Sequence, residues 1–452
     1  MTAQENYPKP LIAWFALIVL MVAYTFSFID RLILSLLVEP IKRDLGLTDF
    51  EISLLQGFSF AVFYTLAGIP IGRLVDATRR VNVIAVGIAL WSLMTARCAL
   101  TQRYWQLFLA RAGVGVGEAS LSPAAYALIT DLFPKHRHGL ALGIFSSGAS
   151  VGAGLALIIG GYAVGAIAES GARTVPLLGE LVPWQLTFLY VGLPGLLVAL
   201  VARAIPEPPR RLTAAPAEAA GTSVPFSEVV AHFRRHAGAI GLHHLAMSFG
   251  GMASYGIMAW APVMLMRTHG WSPRDAGAAI GVAILVAGTL GVIGGGWLGD
   301  ELTRRGHKAG RLNAAFLSTV VAAIGAAGYP LANSTVAIVI FFSLAMLGSF
   351  MTIGCAAAAL LEIMPNRLRG QATAVYFFVI SLLGIGSGPT LVASLTDFVF
   401  GDPDRVRYSL FIAPTAAYLL SALAFWLARA PYVRSHAAVH GQPGLQVPPG
   451  AP

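Results

Sequence analysis

Twelve mostly apolar runs of roughly 20 residues or more recur along this 452-residue chain. They fall at 11–40, 52–72, 81–101, 104–131, 138–163, 184–205, 239–266, 276–299, 311–331, 334–363, 370–396 and 407–429. A helix needs about 20 such residues to cross a bilayer. Inside lipid, only helices and closed barrels satisfy their own backbone polar groups. The pattern predicts an all-α membrane protein with twelve transmembrane helices. Composition agrees, because 56% of residues are hydrophobic and only 11% charged. Soluble chains carry about 25% charged residues to cover their surface. Lys9 precedes the first run and no small-residue cleavage site follows it. That run is therefore expected to be a spanning helix and not a removed signal peptide.

The formal net charge of +9 would suggest nucleic-acid binding in a soluble protein. Here the basic residues sit in short loops between apolar runs, where they act as topology signals and not as a nucleic-acid surface. With an even span count both termini share one side. That side carries 19 lysines and arginines, against 9 on the other, with Arg31 and Arg111 inside spans. The positive-inside rule then places both termini in the cytoplasm. The long gap 206–238 divides the chain near its middle. In it Phe226, Val229, Val230 and Phe233 recur at helical spacing, which predicts a short interfacial helix. The expected organisation is a six-helix bundle over 1–205, a cytoplasmic linker over 206–238, a second bundle over 239–429, and a disordered cytoplasmic tail over 430–452. Cys98 and Cys355 both fall in apolar segments, so neither a disulfide framework nor a cysteine metal site is expected.

Two loops recur at about half the chain length. Gly72-Arg-Leu-Val-Asp76-Ala-Thr-Arg79-Arg80 follows the second span, and Gly296-Trp-Leu-Gly-Asp300-Glu-Leu-Thr-Arg304-Arg305 follows the eighth. Asp131-Leu-Phe-Pro134 after the fourth span matches Glu362-Ile-Met-Pro365 after the tenth. The first pair of acids is 224 residues apart and the second 231. Two unrelated loops at nearly one offset indicate duplication of a six-helix unit.

These loops resemble the signature of the major facilitator superfamily, whose fold is two related six-helix bundles. Phe28-Ile-Asp30-Arg31, with Arg111-Ala-Gly-Val-Gly115-Val-Gly117-Glu118-Ala-Ser120, resembles the spinster-like (Spns) branch. That branch is associated in animals with lysolipid and sphingosine-phosphate transport. The resemblance implies a bacterial member, monomeric and without cofactors, that moves a small amphipathic solute through the inner (plasma) membrane. It also implies that the first, seventh, tenth and eleventh spans line the pathway. They offer Tyr24, Phe28, Tyr255, Met258, Trp260, Tyr376 and Phe377. Gly72, Asp76, Arg79, Arg80, Asp131, Asp300, Arg304 and Glu362 are the expected cytoplasmic gate. Their arginines can cross-pair with the acidic ends of the fourth and tenth spans. The alternative is a basic loop that fixes topology only.

Ionisable groups within a span are costly and usually face a cavity or a partner. Asp30, Arg31, Arg111 and Glu118 are the deep ones. At 1.5 Å per residue, Arg111 lies about 10 Å and Glu118 about 20 Å along the fourth span, and Asp30 about 13 Å deep in the first. Asp30 and Glu118 are expected to compete for Arg111, with Arg31 beside them, and to couple solute movement to protons. The alternative for Arg111 and Glu118 is a structural ion pair. In the fifth span, Gly148 and Gly152 fit either close packing or a partial antiporter motif, with Ala153 where that motif has proline. His243-His244, at the start of the seventh span, is expected to be interfacial. No histidine metal constellation, nucleophile elbow or nucleotide loop is present in the sequence, so an enzyme is not expected. The leading reading is a proton-coupled secondary transporter of an amphipathic solute or organic anion. The alternatives are a broad-specificity drug/proton antiporter and, behind it, a non-transporting sensor.

Overall fold

A computed structural model describes residues 7–134, 137–209, 226–365 and 368–440. In chain order the elements are α1 (Pro10–Leu36), α2 (Val38–Leu45), α3 (Asp49–Ala77), α4 (Arg80–Cys98), α5 (Tyr104–Glu118), α6 (Leu121–Leu132) and α7 (His138–Ser170). A small antiparallel hairpin follows, β1 (Arg173–Val175) with β2 (Gly179–Leu181), then α8 (Pro183–Arg203). After them come α9 (Phe226–Arg235), α10 (Ala237–His269), α11 (Pro273–Arg304), α12 (Gly310–Gly328), α13 (Thr335–Glu362), α14 (Gln371–Phe400) and α15 (Val406–His440).

Among the described residues, 11 helices are long and apolar enough to cross a membrane. The twelfth expected span, 104–131, is divided into α5 and α6 at Ala119-Ser120. The first span also stops short of its expected end, at Leu36, and α14 is interrupted at Gly386-Ser387. In all three places a proline stands four residues beyond a residue at the break: Pro123 beyond Ala119, Pro40 beyond Leu36, Pro389 beyond Ile385. Proline has no N–H to offer the carbonyl four residues back, and its ring crowds that carbonyl. Proline alone does not force a break, since Pro70, Pro194 and Pro262 lie inside unbroken helices.

Contacts group the residues into two compact units. The first is Met1–Ala214, Tyr255–Val286 and Ile385–Leu410; the second is Ala215–Ser254, Ala287–Gly384 and Phe411–Pro452. This grouping cuts across the halves expected from the sequence duplication. The first unit has a core around Leu20, Phe60, Trp91 and Phe145, and the second around Ile240, Ala315, Cys355 and Phe425. Outside these cores Leu66, Ile69, Ile293 and Trp297 lie exposed along α3 and α11. Such apolar faces would be aggregation-prone in water and suit lipid. Gly152 of α7 packs against α1, where an added Cβ would come within 3.1 Å of the Thr25 Cα.

The expected short helix at Phe226 is α9, with Val229 buried on its own unit. Residues 210–225 of the linker lie outside the described residues. The expected disordered tail is corrected in part: α15 continues through His440, and 441–452 lie outside the described residues.

Candidate functional site

Ser27 and Arg31 are four residues apart on α1 and so share one helix face. Both reach Glu118, the last residue of α5 before the proline break. The Ser27 hydroxyl donates to Glu118 Oε2 at 2.6 Å, and the Arg31 guanidinium donates to the same oxygen. The Glu118 side chain is only 2% exposed. Arg31 also lies over two rings, 4.2 Å from the Phe60 centroid and 5.1 Å from that of Phe28. A cation over aromatic faces gains from the ring quadrupoles, more so when desolvated.

Asp30 and Arg111 form a separate group. Arg111 Nη1 donates to the Asp30 backbone carbonyl at 2.8 Å. Both residues are buried, and Asp30 Oδ1, Arg111 Nε and Arg111 Nη2 have no hydrogen-bond partner. Among the described residues no ion pair joins Arg111 to Asp30 or to Glu118. The three-membered competition for Arg111 expected from the sequence is therefore not the arrangement seen; Arg31 holds Glu118. Depth along the helices does not decide which of them bond. Asp30 and Arg31 are consecutive, so their side chains leave α1 about 100° apart.

Arg31 lines a cavity with Ser35, Gln56, Tyr255, Met258 and Pro389, all within the first unit. Of the aromatics expected around the solute, Tyr255 lines it, and Phe28 lies against the Arg31 guanidinium. Tyr24 packs beside them, stacked on Phe145 with centroids 5.1 Å apart. Trp260 does not reach the cavity. It is fully buried, and its indole N–H donates to the Pro389 carbonyl at 2.9 Å. Tyr376 and Phe377 belong to the second unit. Tyr376 is buried against His243 and His244, with centroids 5.8 and 5.7 Å away, and Phe377 is 57% exposed. The two histidines are buried, not interfacial: His243 Nε2 lies 2.9 Å from the Ala356 carbonyl.

The expected gate residues pair within each repeat. Arg80 donates to Asp131, to Glu207 at 2.8 Å, and to the carbonyls of Ala127 and Pro208 at 3.0 and 3.1 Å. In the second unit, Arg311 meets Asp300 and Glu362, both at 2.8 Å, and Glu362 also accepts from the Tyr432 hydroxyl. Arg311 follows Arg80 by the same 231 residues that separate Glu362 from Asp131. Each acid thus meets an arginine at the start of the third span of its own repeat. Arg304 pairs instead with Glu301; in the first repeat Asp76 and Arg79 are exposed at the end of α3, with Gly72 half-buried one turn before them.

The sequence reading missed a third charged cluster. Arg267 of α10 donates to both oxygens of Asp49 at 2.7 and 2.8 Å, to Glu39 at 2.6 Å and to the Pro403 carbonyl at 3.0 Å. Lys42 also donates to Asp49, whose side chain is fully buried. Asp397 accepts from the Phe50 N–H at 2.6 Å. Residues from both sequence halves are tied together at this end. In the sequence, Arg267 and Lys42 count only as loop charges setting topology. Gln56 and Ser35 carried no sequence signal at all.

Helices of this length, a duplicated charge network and a buried ion pair on a cavity wall define a membrane transporter of the two-repeat kind. Residues 20–389 match the Major Facilitator Superfamily, and the chain belongs to it. An MFS-type efflux pump of Mycolicibacterium smegmatis is 28% identical over 94% of this chain and 94% of its own. Protein spinster homolog 1 of Xenopus tropicalis is 27% identical, covering 82% of this chain and 70% of its own. A crystal structure of a bacterial homolog of the human lysosomal transporter spinster, inward-facing and unoccupied, superposes with a TM-score of 0.78 at 25% identity, covering 97% of this chain and 100% of the other. Within the superfamily this chain is spinster-like.

Proposed function

We propose that the protein is a proton-coupled secondary transporter of an amphipathic solute with an anionic head, a lysolipid or a related organic anion. One observation carries this reading: the buried Arg31–Glu118 pair stands where Arg31 lines the cavity. An anionic head entering the cavity competes with Glu118 for the guanidinium. A buried carboxylate stripped of its cation neutralises by taking a proton, because leaving it charged in an apolar place is too costly. Solute and proton are thereby bound together. Asp30, held against the buried Arg111, is a second carboxylate available to the cycle. Leu32, Tyr255, Met258 and Pro389 supply the apolar surface for a chain or ring.

Alternation then uses the charged ends. In this reading, by the positive-inside rule, the Asp131 end faces the cytoplasm and the Asp49 end the outside. The Arg267 cluster holds the outer end shut, and the Arg80 and Arg311 clusters brace the cytoplasmic ends of the two repeats. In this account the protein works as a monomer in a bacterial inner membrane. A second reading is a drug/proton antiporter, favoured by the likeness to the mycobacterial efflux pump. There an amphipathic cation would pair with Glu118 in place of Arg31.

Uptake into proteoliposomes separates the two. A panel of labelled lysolipids, organic anions and cationic drugs is offered to the purified protein under an imposed pH gradient. Gradient-driven movement of anionic amphiphiles supports the first reading. Movement of cationic drugs alone overturns it in favour of the second.

A further inference from the structure

The cavity beside Arg31 has a second polar wall, and it is an acceptor. Gln56 sits in a π-helical turn, Leu54–Phe58, within α3. Such turns widen the helix by one residue and are frequent at functional sites. This one is pressed against the break in α14. A Cβ on Gly57 would come within 2.7 Å of the Gly386 carbonyl oxygen and 3.2 Å of the Pro389 ring, so only glycine fits there. The turn is thus packed in place, and Gln56 with it.

The amide of Gln56 is oriented by its partner. Its Nε2 donates to the Ala259 carbonyl at 3.3 Å, a bond that only the nitrogen can make. That leaves Oε1 as a carbonyl oxygen, buried and without a hydrogen-bond partner, on a residue only 9% exposed. Arg31 Nε is also buried and without a partner. Both residues line the same cavity, whose remaining wall includes Leu32, Met258 and Pro389. Buried polar groups of this kind normally have partners, and an unpartnered one marks a place where something else supplies the bond.

We propose that Gln56 selects solutes whose head group carries an N–H or O–H donor beside its anionic oxygen. Arg31 takes the anion and Gln56 Oε1 accepts from the donor. A head group bearing a primary ammonium or a hydroxyl satisfies both walls. A quaternary trimethylammonium has no hydrogen to give, and its methyl groups leave the carbonyl desolvated and unbonded. This inference rests on the reading that Arg31 receives an anionic head in this cavity.

The test is direct binding to the full-length purified protein in detergent, using two probes with the same acyl chain: lysophosphatidylethanolamine, which has N–H donors, and lysophosphatidylcholine, which has none. Wild type is expected to bind the ethanolamine probe about tenfold more tightly, the usual penalty for one unmade bond to a buried carbonyl. Gln56→Met, similar in volume and without the acceptor, is expected to bind the two alike. A wild-type melting temperature for Gln56→Met in detergent guards against a folding defect in that variant. Equal binding by wild type, or an undiminished preference in Gln56→Met, overturns the role of Gln56 alone. Failure of wild type to bind either probe, or binding unaffected by Arg31→Gln, overturns the underlying reading of the cavity as well.

Discussion

Replacing Arg267 with glutamine should unlatch the Asp49 end. The guanidinium side chain is 6% exposed and Asp49 is fully buried, so their bidentate contact at 2.7 and 2.8 Å is a desolvated, charge-assisted pair. The contact to Glu39 is weaker, because that carboxylate is 47% exposed and largely screened by water. Removing one member of a buried pair costs about 3–5 kcal/mol, since the other charge is left without compensation. Lys42 still reaches Asp49 and softens the loss, so the lower figure applies. The cost falls on the shut arrangement alone, because opening returns Asp49 to water. About 3 kcal/mol corresponds to roughly a hundredfold change in the equilibrium between shut and open. Spin labels at Arg43 and Arg405, exposed positions at this end, report the opening as a distance distribution. The native cysteines, Cys98 and Cys355, are buried and compete poorly for label. Wild type should give one short distance, and Arg267→Gln should add a longer population. An unchanged distribution would refute the argument that this cluster holds the end closed.

Two further outcomes follow from the other charged clusters. Arg80→Gln removes every bond from Arg80 to Asp131, Glu207, Ala127 and Pro208, and should lower the thermal midpoint in detergent by several degrees, on the order of 3 kcal/mol; Arg311→Gln should lower it less, because Arg311 and its partners are more exposed and screened by water. Burial, with His232 and Arg235 close by, holds the His236 imidazole below its ordinary value of 6.5. The folded state therefore disfavours the proton that the unfolded chain accepts, so stability should be full above about pH 6.5 and fall as acid is added, and His236→Gln should flatten that slope in a melting series.

Most of the helical architecture was legible because length and hydropathy suffice when every span must bridge the same bilayer. The breaks were less so, although Pro40, Pro123 and Pro389 are plain in the sequence. Pro70, Pro194 and Pro262 look the same there and leave their helices whole, so packing decides which proline bends the chain. The continuation of α15 through His440 was hidden because its last turns are no longer apolar enough to read as a span. At the site, the sequence marked Asp30, Arg31, Arg111 and Glu118 as a group but not who pairs with whom. That depends on helix rotation and on the α5 break that leaves Glu118 at a helix end. Gln56 was invisible for a different reason. A single glutamine in an apolar run signals nothing until the π turn and its unbonded carbonyl are seen against the cavity. Arg267 was misjudged because a basic residue near a helix end is usually a topology signal, and here it is buried.

The most direct test of the account is proton flux. The protein is reconstituted into liposomes holding a pH-sensitive dye, and an anionic lysolipid is added to wild type, Glu118→Gln and Asp30→Asn. Coupling through the Arg31–Glu118 pair predicts a solute-dependent pH change in wild type that is lost in Glu118→Gln. Solute movement with no pH change in wild type, or an undiminished proton flux in Glu118→Gln, would contradict it and leave that pair a structural bridge between α1 and α5.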